Sequence, residues 1–130
     1  MYKITIADVA ELTEEVLKVE FDSKIPDGSY ARSSDIAVTL SITGRVAFDA
    51  DKLFMKDSIK EIAAWSTVKP DSADTYKAVS VTFDHTTSTR KYDLSHAFVV
   101  SFNEWFEDQN GFFNLVVRQK KDRLDGVSVE

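Results

Sequence analysis

The sequence has no cysteine, and only two histidines, four glycines and two prolines occur among its 130 residues. The absence of cysteine excludes a disulfide framework, a zinc–thiolate site and a thiol nucleophile. No glycine-rich phosphate loop, H-E-x-x-H motif or G-x-S-x-G motif is present. Because the residue types that catalysis needs are scarce, we expect neither an enzyme nor a bound cofactor.

Basic residues are also fewer than acidic ones. The sequence has 16 Lys and Arg and 22 Asp and Glu, which gives a net charge of −6. This balance disfavours general binding to nucleic acid or to anionic membranes. No run of about 18–20 apolar residues could span a membrane, and the alternating start is unlike a secretory signal. With 43% hydrophobic residues, the composition predicts one soluble globular domain over residues 1–130.

Alternation of apolar and polar residues is the dominant local pattern, and it predicts strands. The clearest case is Ile36–Thr43, and Gly44 after it predicts a bulge or bend. Residues 8–21 fit either a helix or a strand, and we favour a strand over Val16–Phe21. The other predicted strands are Tyr2–Ile6, Val79–Phe83, Arg90–Leu94, Ala97–Phe106, Phe112–Lys121 and a short last strand at Val127 and Val129.

One helix is predicted over residues 51–67. Its apolar residues, among them Leu53, Ile59 and Ile62, recur at helical spacing, and Pro70 follows its end. A parallel sheet would need helices alternating with strands, and only one good helix exists. The pattern therefore predicts a mainly β fold, an antiparallel β-barrel or sandwich with one inserted α-helix.

The sequence offers only weak candidates for a metal site or for acid–base catalysis. His85 and His96, with Asp84 and Asp93 nearby, offer metal-ligand types without a specific spacing, so ordinary turn and strand positions are expected. Carboxylate pairs such as Glu104 and Glu107 arise often in an acidic chain, and we expect solvated surface rather than acid–base catalysis.

The only basic cluster lies near the end of the sequence. It consists of Arg118, Lys120, Lys121 and Arg123, with Asp122 and Asp125 interleaved. Interleaved charges of both signs favour a charged protein contact or protection of a strand edge over phosphate binding.

Both faces of the predicted strand Ala97–Phe106 are partly apolar. Regular alternation would place Phe98, Val100, Phe102 and Phe106 on one face and Ala97, Val99 and Trp105 on the other. An antiparallel sheet in a monomer normally has one wet face, so this pattern fits either the centre of a sandwich or a subunit interface. Phe112 and Phe113 on the next strand repeat the same ambiguity.

The order of features resembles a known family. A long loop ends in Tyr30–Asp35 (YARSSD) before the strand Ile36–Thr43, the helix ends in Ile62–Trp65 (IAAW), and VSVTF at Val79–Phe83 precedes YDLSHAFVVSFNEWF at Tyr92–Phe106. This layout is similar to the Hcp (TssD) proteins of type VI secretion and to the tail-tube proteins of phages and contractile injection systems. The glycine-rich element that often follows the long loop in that family is missing, because Arg32–Asp35 contains no glycine.

The resemblance implies a compact β-barrel with one helix on its side, assembling as a hexameric ring whose rings stack into a tube. The partners implied are copies of the chain itself and sheath, baseplate or effector proteins. The homo-oligomer would be cytoplasmic before assembly and secreted or virion-associated as part of the tube. The loop Ser23–Ser34 would reach the next ring.

Two hypotheses for the site follow. On the tube hypothesis, the subunit-interface residues are Asp27, Gly28, Tyr30, Arg32, Phe98, Trp105 and Phe113, and a polar lumen would use Thr39, Ser41, Thr43, Ser80 and Thr82. The alternative is a monomeric β-barrel that binds a small hydrophobic ligand or peptide in a pocket lined by Phe98, Phe102, Trp105 and Phe113.

Overall fold

Strands make up most of the described chain in this computed structural model, which covers residues 1–25, 36–46, 58–108 and 110–130. The elements are β1 (Tyr2–Ile6), β2 (Ala10–Leu12), β3 (Val16–Lys24), β4 (Ala37–Val46), α1 (Ser58–Ser66), β5 (Lys77–Asp84), β6 (Thr89–Glu107), β7 (Asn110–Gln119), a 3-10 helix (Lys121–Gly126) and β8 (Val127–Val129). The predicted mainly antiparallel β fold is confirmed, and the described residues contain one α-helix. The helix occupies Ser58–Ser66, and the rest of its predicted start lies outside the described residues.

All of these strands belong to one antiparallel sheet, in the order β2-β1-β5-β6-β7-β4-β3, with β8 paired to β6. β2 and β3 lie at opposite ends of this order, yet only residues 13–15 connect them. Four steps along the backbone span at most about 15 Å. The open sheet therefore curls until its two edge strands approach each other. At this connection the Arg45 amide donates a hydrogen bond to the Glu15 carbonyl, 2.7 Å away.

The core fills the inside of the curl. Alternate residues of each long strand point into it, as the sequence pattern predicts. Three residues of α1, three apart in sequence, cover it from one side, and the Trp65 indole N–H donates to the Thr75 carbonyl at 3.1 Å. The fully buried members include Ile4, Ile6, Leu12, Leu40, Ile42, Ile62, Val79, Val81, Leu94, Phe113, Leu115 and Val117.

Val16–Phe21 is a strand, as we favoured, and the earlier part of the ambiguous segment contains the short strand β2 between turns. Asp8 has a φ of 62° in the turn before β2, so this part of the chain does not begin a helix. The irregularity predicted at Gly44 falls on its partner strand, where the register shifts between Val16 and Lys18. Gly44 itself continues β4, and a side chain does not fit there, because a Cβ would lie 2.2 Å from the Glu15 carbonyl oxygen.

β6 corrects one sequence prediction. Arg90–Leu94 and Ala97–Phe106 are not separate strands but parts of one 19-residue strand. The joining residue His96 stays in the ladder because its amide donates to the Gln119 side-chain oxygen at 2.9 Å and its carbonyl accepts from the Lys120 amide at 2.8 Å. The first half of β6 pairs with β5 and β8, and the second half pairs with β7.

Candidate interaction surface

The outer face of the sheet carries a fixed polar surface over β4 and β7. The Asn114 side-chain nitrogen donates to the hydroxyls of Ser41 at 3.2 Å and Thr43 at 2.9 Å, and Arg118 Nε donates to Thr39 at 3.3 Å. These side chains alternate with buried core residues and point away from the core. The hydroxyls proposed for a lumen on β4 therefore lie on the outer face, held by hydrogen bonds between strands.

A bulge in β6 sets which aromatic residues share that face. Val99 lies opposite Val117, and Ser101 lies opposite Val116, so Val100 is an extra residue without a partner in the β6–β7 ladder. A bulge of one residue shifts the alternation of side chains beyond it. Side chains after Val100 therefore point to the face opposite to the one they would occupy if the alternation before Val100 continued.

The predicted grouping of aromatic residues on β6 is wrong for this reason. Phe98, opposite Arg118, lies on the outer face with Trp105, whereas Phe102, opposite Leu115, lies on the inner face. The prediction assumed an unbroken alternation from Phe98 onward. The bulge brings Phe98 and Trp105 onto one surface.

The first end of this surface is the tip of the β6–β7 hairpin, defined as residues 104–108 and 110–112. Trp105 is 39% exposed and Phe106 58% exposed, although both are large apolar side chains. The Trp105 and Phe112 rings stack with centroids 5.7 Å apart. The carboxylates of the tip are Glu104, Glu107 and Asp108, all exposed. The tip is therefore both aromatic and acidic.

The second end is a groove at the root of the same hairpin. It is open to solvent, has a volume of about 800 Å³ and is lined by Tyr76, Phe98, Lys120, Lys121, Asp122, Leu124 and Asp125. The Tyr76 and Phe98 rings meet edge to face at 5.9 Å, and Lys120 Nζ lies 5.0 Å from the centre of the Tyr76 ring. Lys120 Nζ also lies 3.7 Å from an Asp122 carboxylate oxygen. The groove has an aromatic floor and a rim of mixed charge.

A buried polar network supports the floor of this groove. Gln119 is 2% exposed, and its side-chain nitrogen donates to Ser95 Oγ at 3.0 Å and to the Arg123 carbonyl at 2.6 Å. A Cβ on Gly126 would lie 1.8 Å from Ser95 Oγ, so only glycine fits there. Together these contacts fix the 3-10 helix against β6 and β7.

No sequence motif pointed to Gln119 or Gly126 as part of a site. One signal for Gln119 was available, because it continues the buried alternation of Phe113, Leu115 and Val117. A polar side chain at a core-facing position has to find partners inside the protein. The identity of those partners depends on β6, which the sequence alone does not place beside it.

The two histidines lie apart. His85 sits in the turn after β5, with Nδ1 3.4 Å from the Thr87 hydroxyl, while His96 Nδ1 lies 2.8 Å from Ser95 Oγ on β6. The seven steps along β6 from Thr89 to His96 span about 24 Å of strand. Within the described ranges, no group of three or more His, Asp or Glu side chains is placed to hold a metal ion.

Among the helical residues that the structure describes, none form a helix long and apolar enough to cross a membrane.

The structure brings two of the predicted interface residues onto one surface. Phe98 lines the groove and Trp105 lies at the tip. Phe113 is fully buried in the core and offers no surface to a partner. The other predicted interface residues, Asp27, Gly28, Tyr30 and Arg32, lie outside the described residues.

The four aromatic residues proposed for a ligand pocket do not line one cavity. Phe98 and Trp105 are on the outer face, Phe102 is on the inner face and Phe113 is in the core. The groove shares only Phe98 with that set.

No protein-family model matches the sequence, and no curated protein matches it at a significant level. Among solved structures, the fold is similar to a chain of the six-fold symmetrised cryo-EM structure of the anti-feeding prophage baseplate. The two chains share 11% sequence identity with a TM-score of 0.49, and the alignment covers 99% of this chain and 90% of that one. Similarity at this level carries no argument about function.

Proposed function

We propose that the protein is a structural subunit that assembles with copies of itself into rings stacking into a tube, within a phage-tail-like or contractile injection particle. The observation that carries this proposal is the exposed aromatic tip of the β6–β7 hairpin. Trp105, stacked on Phe112, exposes apolar surface on the outer face, and Phe106, opposite Gly111, exposes its ring on the other face of the same tip. Large exposed apolar side chains grouped at one place on a folded domain indicate a site of interaction with another protein.

The edge of the sheet gives a second reason. β3 pairs with β4 on one side, and among the described residues the backbone of residues 17–24 has no partner on the other side. An unpaired edge is a template for a strand from another chain. A subunit that offers one edge and receives another elsewhere forms a head-to-tail contact, which closes into a ring or continues as a filament.

The type of assembly comes from the sequence. The order of loop, strands and helix, and the segment Tyr92–Phe106, resemble Hcp and tail-tube proteins, whose function lies in their subunit contacts. The fixed polar face of β4, with Thr39, Ser41 and Thr43, is a suitable lining for a lumen through which other molecules pass without sticking.

Light scattering over a wide concentration range, combined with negative-stain imaging, tests this proposal. We expect a mass that rises above the monomer's with concentration, and ring or tube particles on the grid. A chain that stays at monomer mass throughout, with no particles, would contradict the proposal.

The tip supplies a matched pair of variants for the same measurement. Trp105→Ser with Phe106→Ser removes the aromatic surface and should weaken assembly. Val129→Ser also removes an exposed apolar side chain, but on β8, and should leave assembly unchanged. Equal effects of the two changes would mean that general surface apolarity, and not the tip, drives association.

A further inference from the structure

The two ends of the β6–β7 hairpin are complementary in charge. The tip carries Glu104, Glu107 and Asp108. The groove is lined by Lys120 and Lys121 against Asp122 and Asp125. Its excess of positive charge comes from two cations beside the lining, Arg118, which lies opposite Phe98, and Arg123 on the 3-10 helix. Opposite charge across an interface steers association, and like charge opposes it. Two tips would repel each other, whereas a tip and a groove would attract.

The two ends are also complementary in shape and polarity. The groove, at about 800 Å³, falls within the roughly 300–1,000 Å³ of pockets that bury a small ligand. Its floor of Tyr76, Phe98 and Leu124 is apolar, and the tip offers the exposed rings of Trp105 and Phe106. Aromatic side chains seated in such pockets supply most of the energy of many interfaces.

A tip cannot reach the groove of its own chain. From Phe112 to Gln119, seven residues of β7 separate the two ends by about 24 Å. β7 is paired along this length with both β4 and β6, so the hairpin cannot fold back. Among the described residues, none covers either end, so another molecule can reach both.

We infer that the acidic aromatic tip of one copy docks in the groove at the hairpin root of the next copy. This inference rests on the proposed function, since it names the contact through which the copies associate. The tip and the groove are different surfaces, so the contact is head-to-tail. Each copy can insert its tip into one neighbour and bind the tip of another in its groove.

Two variants test the tip and the groove separately. Trp105→Ser with Glu107→Lys alters the tip, and Tyr76→Ser with Lys120→Glu alters the groove. Each variant alone should associate at least about tenfold more weakly than the natural chain by light scattering. Mixed in equal amounts, the two should form a species of two chains, because the groove of the tip variant is intact and receives the intact tip of the groove variant.

Control variants carry the same charge changes at distant sites. Lys3→Glu changes a residue of β1 that lies opposite Thr82. Thr82 is five residues along β5 from Lys77, which follows the groove residue Tyr76. Asp71→Lys changes an exposed residue outside the groove lining. Both controls should assemble like the natural chain. Thermal melting checks that every variant is folded, and the single changes Glu107→Lys and Lys120→Glu replace any double variant that is not.

The outcomes are distinct. Variants that assemble like the natural chain would overturn the tip-to-groove contact and leave the proposed function standing. Variants that are impaired alone and stay monomeric when mixed would also overturn it, because the two ends would then bind other partners. A natural chain that is monomeric at every concentration would overturn the proposed function itself.

Discussion

The root and the tip of the β6–β7 hairpin belong to the same two strands but are built in opposite ways. At the root, the buried amide of Gln119 has partners for both of its side-chain atoms, and Gly126 packs where no other residue fits. At the tip, Trp105 and Phe106 hold apolar surface in solvent. A hairpin with a fixed root can hold large apolar side chains exposed to solvent at its tip. A contact surface needs this arrangement.

Adjacent residues of β7 show the same division. Phe113 is 0% exposed, between β4 and β6 on the inner face, whereas Phe112 stacks on Trp105 on the outer face. The two have the same side chain. Their different surroundings follow from strand alternation alone, so substitutions at the two positions separate stability from association.

The largest effect should come from Phe113→Ala. Removing a fully buried phenyl ring leaves a cavity in the core, and we expect the free energy of unfolding to fall by about 3–5 kcal/mol. Phe112→Ala should cost much less, since that ring is partly exposed. Chemical denaturation of both variants measures the difference, and equal losses would break the contrast between the two faces.

A smaller loss is expected from Gly126→Ala at the root. The new methyl group would collide with Ser95 and displace the Gln119 network, at a cost of about 1–3 kcal/mol. Ser128→Ala, on the neighbouring exposed strand, should change stability by less than about 0.5 kcal/mol. Unfolding midpoints that coincide for Gly126→Ala and the natural chain would show that the root is not rigid.

At the tip, Trp105→Ser should change the stability of the monomer by less than about 1 kcal/mol, because the side chain is already well exposed. Denaturation at a concentration where the chain is monomeric tests this. A loss as large as that of Phe113→Ala would mean that the tip belongs to the core and not to a contact surface.

The smallest effect is expected on β3, away from both ends. Lys18 donates a hydrogen bond to the Glu20 carboxylate, and this bond, with the attraction between the charges, raises the pKa of Lys18 above its ordinary 10.5. Its contribution to stability is therefore complete below pH 10.5 and is lost as the pH rises through the folded-state pKa. An NMR titration should show a lower Lys18 pKa in Glu20→Gln, and an unchanged pKa would refute the pairing.

Local patterns were enough to predict much of the fold. Alternation placed β1 at its observed bounds and β4 and β5 within three residues of theirs, and helical spacing of Ile59 and Ile62 placed α1. Burial on one side imposes a period on the sequence, and that period can be read without knowing the neighbours of each element.

The site depended on contacts that no local pattern contains. The bulge at Val100 was hidden because both faces of β6 are apolar, so the alternation is equally good in either register. The join at His96 depends on Gln119, 23 residues away. Phe98 and Trp105 were selected for their apolarity, but the surface they share exists only because of the bulge.

The pairing of β1 with β5 has a consequence for how the protein folds. Ile4 lies opposite Val81, so the first strand has its partner more than 70 residues later in the chain. At a synthesis rate of roughly 5–20 residues per second, β1 leaves the ribosome about 4–15 seconds before β5 does. During that interval the β1 edge that β5 will occupy is open, and the charged side chains of Lys3 and Glu11 lie on this hairpin, where charge on an edge disfavours pairing with another chain.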